Sequence, residues 1–90
     1  MHDWSLISIQ IDWIQSSLIV HLKDSQSQNV MLIAEKFKTF NISKKNEWGE
    51  SISINQIINL SILDNGNSFL KVEIQSGDVF EIEAEKITFP

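Results

Sequence analysis

The chain has 90 residues, a mass of 10.3 kDa, no cysteine and a net charge of −5. This length predicts one domain over residues 1–90, and Ile, Leu, Val and Phe make up about a third of it, enough for a globular core. The lack of cysteine excludes disulfides and Cys-ligated metal sites. No apolar run is long enough to span a membrane, and no signal-peptide pattern opens the chain, so we expect a cytoplasmic protein.

All seven basic residues are lysines. Arginine is the residue whose planar fork reads phosphate and guanine, and nucleic-acid-binding domains carry basic patches. A chain without arginine and with an excess of acidic residues is therefore not expected to bind nucleic acid.

Apolar and polar residues alternate along most of the chain, beginning with Ile7, Ile9 and Ile11. Alternation with many β-branched residues predicts strands that bury one face, whereas no long window has helical spacing. Short helical turns are left open only within residues 30–38 and 55–63. The predicted strands are 4–14, 18–24, 29–35, 37–42, 51–63, 67–74 and 78–89.

Two predicted turns end in glycine, at Asp64-Asn65-Gly66 and Gln75-Ser76-Gly77. A three-residue hairpin loop needs a left-handed third residue, a conformation that glycine adopts freely. A loop of this length places the apolar side chains of the two neighbouring strands on the same face of the sheet. The expected pairs are Leu60 with Leu70, Ile58 with Val72, Val72 with Phe80, Leu70 with Ile82, Lys71 with Glu81 and Phe69 with Glu83.

The first hairpin has no glycine. If Trp13 pairs with Leu18, the apolar side chains of both strands lie on one face and Ile11 lies opposite Val20. Residues 14–17 then form the connection. Trp13 is then predicted to point into the core, whereas Trp4, of opposite parity, points the other way.

These elements predict an all-β fold, a single antiparallel meander of about seven strands that forms a small β-sandwich or a partly open barrel. The segment 51–63 is long for one strand, and its apolar alternation lapses near Asn55 and Gln56. We expect the strand to bend there, so that it serves two sheets.

No catalytic residues, metal site or cofactor are predicted. His21 and Asp12 lie diagonally on the outer face of the first hairpin, but no nucleophile motif accompanies them, and such sites are recognised by geometry. Alternating glutamates, as at Glu81 and Glu83, usually form the solvated face of a strand.

Short motifs along nearly the whole chain resemble a small bacterial family similar to the predicted immunity proteins of polymorphic toxin systems. They are His2-Asp3-Trp4, Trp13, Trp48-Gly49-Glu50-Ser51-Ile52-Ser53-Ile54-Asn55 and Gln75-Ser76-Gly77-Asp78 with the strand after it. The sequence departs from the family pattern at Asn46 and Glu50, where prolines are common. The resemblance implies a cytosolic, non-enzymatic, all-β protein that neutralises a partner, and it supplies no catalytic residues.

We expect a protein-binding module whose partner is another protein, such as a basic toxin. The predicted docking surface is acidic and has an aromatic centre, because Phe69 lies opposite Glu83 on the outer side of the last strands. Two alternatives remain open: carbohydrate binding through exposed Trp4 or Trp48, and a structural subunit, such as a homodimer, that associates through a sheet face or edge. The residues predicted for the acidic surface are Phe69, Lys71, Glu73, Glu81, Glu83 and Glu85.

Overall fold

A computed structural model describes residues 1–44 and 53–90. Within these residues the fold is all-β and contains no helix, so the helical turns left open at 30–38 and 55–63 are absent. Six antiparallel strands form one sheet. They are β1 (Ser5–Asp12), β2 (Ser17–Lys23), β3 (Asn29–Ile42), β4 (Ile54–Ile62), β5 (Ser68–Ile74) and β6 (Val79–Thr88).

The strand order is β1-β2-β3-β6-β5-β4, which differs from a consecutive meander in one place. β3 pairs with β6 and not with β4. β4 lies at the far edge of the sheet, beyond β6 and β5, and residues 43–53, which separate β3 from β4 in the sequence, are too many for a tight turn. The sheet thus consists of two three-stranded meanders joined through β3 and β6.

The two predicted strands 29–35 and 37–42 are one strand, β3. Its first part pairs with β2 and its second part with β6, so β3 is the strand shared by both meanders. Lys36 has a positive φ of 52° and follows Ala34, the last residue of β3 that pairs with β2, by two positions. The position of the predicted bend, near Asn55 and Gln56, has a shift in the pairing of β4 with β5. The prediction that this strand serves two sheets is wrong, because all six strands belong to one sheet.

The sheet curls until its two edges touch at one end, as in a partly open barrel. Ser5 forms a β-bridge with Ser53. Beside it, the Asp3 N–H donates to the Ile54 carbonyl at 2.9 Å, and the Ile54 N–H donates to the Trp4 carbonyl at 2.7 Å. The inner face holds the core, whose members are Leu18, Val20, Leu22, Leu32, Ala34, Ile54, Leu70, Val72, Ile74, Phe80, Ile82 and Ala84.

Most of the residue pairs predicted from the two glycine turns are present in the second meander, which consists of β4, β5 and β6. The N–H groups of Gly66 and Gly77, both at positive φ, close three-residue loops. One predicted pair is wrong: Val72 lies opposite Ile57, because the pairing shifts by one residue at Ile58. The confirmed pairs are Leu60 with Leu70, Val72 with Phe80, Leu70 with Ile82, Lys71 with Glu81 and Phe69 with Glu83.

The predicted register of the first hairpin is wrong by two residues. Ile11 lies opposite Leu18, and β1 ends at Asp12, so Trp13 begins the turn and is 80% exposed. β1 also has a bulge at Ile7. Because a bulge inserts one residue, the side chains before Ile7 point to the face opposite to the one that the sequence alternation predicts. Trp4 consequently packs against the core.

Candidate functional site

The outer sides of β5 and β6 carry the predicted acidic surface. Lys71 lies opposite Glu81, and Phe69, which is half-buried, lies opposite Glu83. Glu73 occupies the end of β5 on the same side. We call this set the acidic face; its members are Phe69, Lys71, Glu73, Glu81 and Glu83.

One glutamate of the acidic face is neutralised by a lysine. The Lys71 ammonium lies 3.6 Å from a Glu81 carboxylate oxygen, with about a third of each side chain exposed. A pair at this exposure contributes at most about 1 kcal/mol to stability, so it is weak enough to open for a partner.

The other two glutamates are held by amides. Glu73 accepts hydrogen bonds from Asn55 Nδ2 at 2.7 Å and Gln56 Nε2 at 3.1 Å. Glu83 accepts from Asn67 Nδ2 at 2.9 Å and Asn65 Nδ2 at 3.3 Å. Amides orient a carboxylate without removing its charge. The four amides therefore position both glutamate side chains without placing a positive charge beside them.

Glu85 does not belong with this group. The β5–β6 ladder ends at Ser68 and Ala84, so Glu85 has no neighbour on β5. Its carboxylate lies 3.5 Å from the ammonium of Lys36 on β3. There it lines a polar cleft of about 530 Å³ together with Gln15, Ser17, Glu35, Lys36 and Lys86.

The structure separates His21 from Asp12. His21 Nε2 lies 3.3 Å from Gln10 Oε1, whereas the Asp12 carboxylate accepts the Gln15 N–H within the first turn. The predicted diagonal contact between them is therefore wrong, because it depended on the incorrect register of the first hairpin.

The two tryptophans proposed for carbohydrate stacking have different outcomes. Trp4 is half-buried and packs against the core. Trp48 lies outside the described residues.

Trp13, predicted to be buried, is 80% exposed beside Ile14, which is 92% exposed. The sequence offered no glycine to locate this turn, because its left-handed residue is Ser16.

Motifs that are far apart in the sequence converge where the sheet edges meet. Gln75 Nε2 donates to the Asp3 carboxylate at 3.2 Å, and the Gln75 N–H donates to the Ser53 carbonyl at 2.8 Å. His2 Nδ1 lies 2.6 Å from the Asn55 carbonyl oxygen. These contacts join the His2-Asp3-Trp4, Ser53-Ile54-Asn55 and Gln75-Ser76-Gly77-Asp78 segments, which gives them a role in closing the sheet.

Asp78 completes this end of the molecule. Its side chain is buried and accepts hydrogen bonds from the hydroxyls of Ser43, at 3.2 Å, and Ser76, at 3.0 Å. A buried carboxylate requires such donors. The contact with Ser43 connects the β5–β6 turn to the end of β3.

The described residues form neither a metal site nor a membrane-spanning helix. In the described part of the chain, no three His, Asp or Glu side chains are grouped so that they could hold a metal ion. Residues 1–44 and 53–90 also include no helix with the length and apolarity to cross a bilayer.

Comparison with known proteins shows the fold alone. No family model and no curated protein matches the chain. The chain is similar to a solved structure, described as an uncharacterized protein from Neisseria gonorrhoeae, with a TM-score of 0.71 and 18% sequence identity. The match covers 99% of this chain and 91% of that one, so the architecture is shared over its full extent.

Proposed function

We propose that this protein is a non-enzymatic binding module that holds a basic protein on its acidic face. The observation that carries the proposal is the pair Glu73 and Glu83, which have amide partners and, among the described residues, no lysine partner. A carboxylate that is already oriented loses less side-chain entropy when it accepts a partner's cation. Such hydrogen bonds between charged groups are about twice as strong as neutral ones.

Phe69 supplies an apolar centre for this surface. It is half-buried and lies opposite Glu83, so part of its ring can be covered by a partner without a change in the fold. Buried aromatic side chains carry much of the energy of protein interfaces, whereas the surrounding charges mainly raise the association rate.

The kind of partner follows from charge and from the resemblance. A surface that is negative in a chain of net charge −5 steers basic proteins toward itself. The resemblance to predicted immunity proteins adds that the partner is a toxin, and basic nuclease toxins match the charge. The alternative of carbohydrate binding is weakened, because Trp4, one of its two proposed stacking residues, packs against the core.

The proposal is tested by removing charge without changing shape. A panel of purified basic nuclease toxin domains is titrated by biolayer interferometry with wild type, a Glu73→Gln/Glu83→Gln variant and, as a matched control, Glu35→Gln on β3. For a binding domain, we expect the double variant to associate roughly tenfold more slowly at low salt and the control to match wild type.

Phe69→Ala tests the centre of the face separately. We expect faster dissociation and an affinity loss of roughly 30-fold, equivalent to about 2 kcal/mol. If a domain binds tightly and neither the glutamine variant nor Phe69→Ala changes its kinetics, the acidic face is not the binding surface.

A further inference from the structure

β4 is an outermost strand of the sheet, and only its beginning is paired on the outer side. Residues 3–5 contact Ser53 and Ile54 there. From Gln56 to Ile62, no described strand pairs with that side. We call residues 56–62 the free edge. Unpaired N–H and C=O groups along a sheet edge are a template for another strand.

The free edge also exposes apolar side chains that continue the core face. Ile57 and Leu60 lie opposite the buried Val72 and Leu70. Exposure rises along the strand, from 0% at Ile54 to 38% at Ile57, 53% at Leu60 and 70% at Ile62. β4 thus extends beyond the part of the core that the described strands cover.

No charged residue lies in β4, whose sequence is INQIINLSI. Edge strands are commonly protected against pairing by lysines, other charges or proline. β4 has none of these, and its two register shifts, at Asn55 and at its central residue Ile58, both lie before Asn59. The segment from Asn59 to Ile62 is regular, neutral and unprotected.

We propose that the free edge pairs with the free edge of a second copy of this chain, antiparallel about a two-fold axis. A second copy fits this edge because β4 carries no charged side chain, so two chains of net charge −5 approach each other there with less repulsion than at a charged surface. A two-fold axis also places one surface against itself, as an antiparallel strand pair requires. The product is a continuous sheet with six strands from each copy.

The pairing has a defined register. Leu60 faces the core side, whereas Asn59 and Ser61 lie opposite Lys71 and Phe69 on the outer side. The core-facing side chains of both copies lie on the same side of the joined sheet when Leu60 of one copy pairs with Leu60 of the other. Asn59 of each copy then pairs with Ser61 of the other. This register buries the apolar end of β4 and places two acidic faces on one sheet.

The first test measures mass in solution. At about 100 μM, well above the concentration needed for a micromolar dimer, we expect wild type to sediment at twice 10.3 kDa. Leu60→Lys should sediment as a monomer with an unchanged circular dichroism spectrum. Met31→Lys is the matched control, because Met31 is 47% exposed on β3, and it should remain dimeric.

The second test uses the absence of cysteine in the natural chain. We expect Leu60→Cys to form an intermolecular disulfide under mild oxidation, since directly opposed antiparallel residues are within disulfide distance. Met31→Cys should not form one. A monomeric wild type at this concentration would overturn the proposal. So would a dimer that persists in Leu60→Lys and is not cross-linked through Leu60→Cys.

Discussion

At the residue scale, the two described tryptophans show how one bulge decides a side chain's environment. Trp4 and Trp13 have opposite parity in the sequence, which predicts that only Trp13 faces the core. The bulge at Ile7 brings Trp4 to the core side, and the end of β1 at Asp12 leaves Trp13 in a turn. Trp4 therefore contributes to stability, and Trp13 is available at the surface.

This difference predicts opposite results for the same substitution. Trp4→Ala should lower the free energy of unfolding by about 2–3 kcal/mol, less than a fully buried aromatic because Trp4 is half-buried. Trp13→Ala, the matched control, should change it by under about 0.5 kcal/mol. Urea unfolding followed by far-ultraviolet circular dichroism measures both, and equal losses would contradict the assigned burial.

At the scale of elements, three hairpins use the same three-residue loop. In each, the third loop residue has positive φ and its N–H closes the turn onto the carbonyl three residues before it. Two of these residues are Gly66 and Gly77, but the β2–β3 turn uses Ser27 at φ 61°. A left-handed backbone costs an L-residue roughly 1–2 kcal/mol relative to glycine, so the Ser27 turn is strained.

Ser27→Gly should therefore stabilise the protein by about 0.5–1 kcal/mol and raise Tm by about 2–6 °C. Gly66→Ala should lower Tm by a similar amount through its backbone alone, since an added Cβ would meet nothing within 4 Å. Ser25→Gly, in the same turn but without positive φ, is the matched control and should give no gain. A thermal melt in which both serine variants behave alike would refute this account.

At the scale of the whole molecule, β3 and β6 hold the two meanders together, whereas β1 and β4 are the outermost strands. β6 is paired on both sides, with β3 and β5. Among the described residues, the two outer edges meet at one end, where residues 2–5 contact residues 53–55. Opening should therefore begin along the free edge, where few contacts are lost, and reach β6 last.

Native-state hydrogen exchange measures this order. In Leu60→Lys, whose free edge would not be covered by a second copy, we expect the slowest amide exchange in β6 and the paired part of β3. Amides of residues 56–62 that point away from β5 should exchange orders of magnitude faster, since they open locally. Uniform protection across β4 and β6 would contradict this order of opening.

The candidate site was predictable where it depended on local turns. Gly66 and Gly77 fix the β4–β5 and β5–β6 loops, and these loops place Phe69 opposite Glu83 and Lys71 opposite Glu81. Glu85 was assigned to the same face, but β5 ends its pairing before reaching it. The amide partners of Glu73 and Glu83 could not be predicted, because a shift at Asn55 and the geometry of a turn position them.

The sequence by itself determined the all-β class, most of the strands and most of the pairs in the glycine hairpins, because alternation and positive φ are local properties of the chain. The tertiary structure alone decided that β3 pairs with β6, that Lys36 adopts a positive φ within β3 and that Trp13 is exposed. It also decided that β4 is a neutral outer strand. Pairing between distant strands depends on how a long connection crosses the sheet and on where bulges fall, and neither has a distinct pattern in a single sequence.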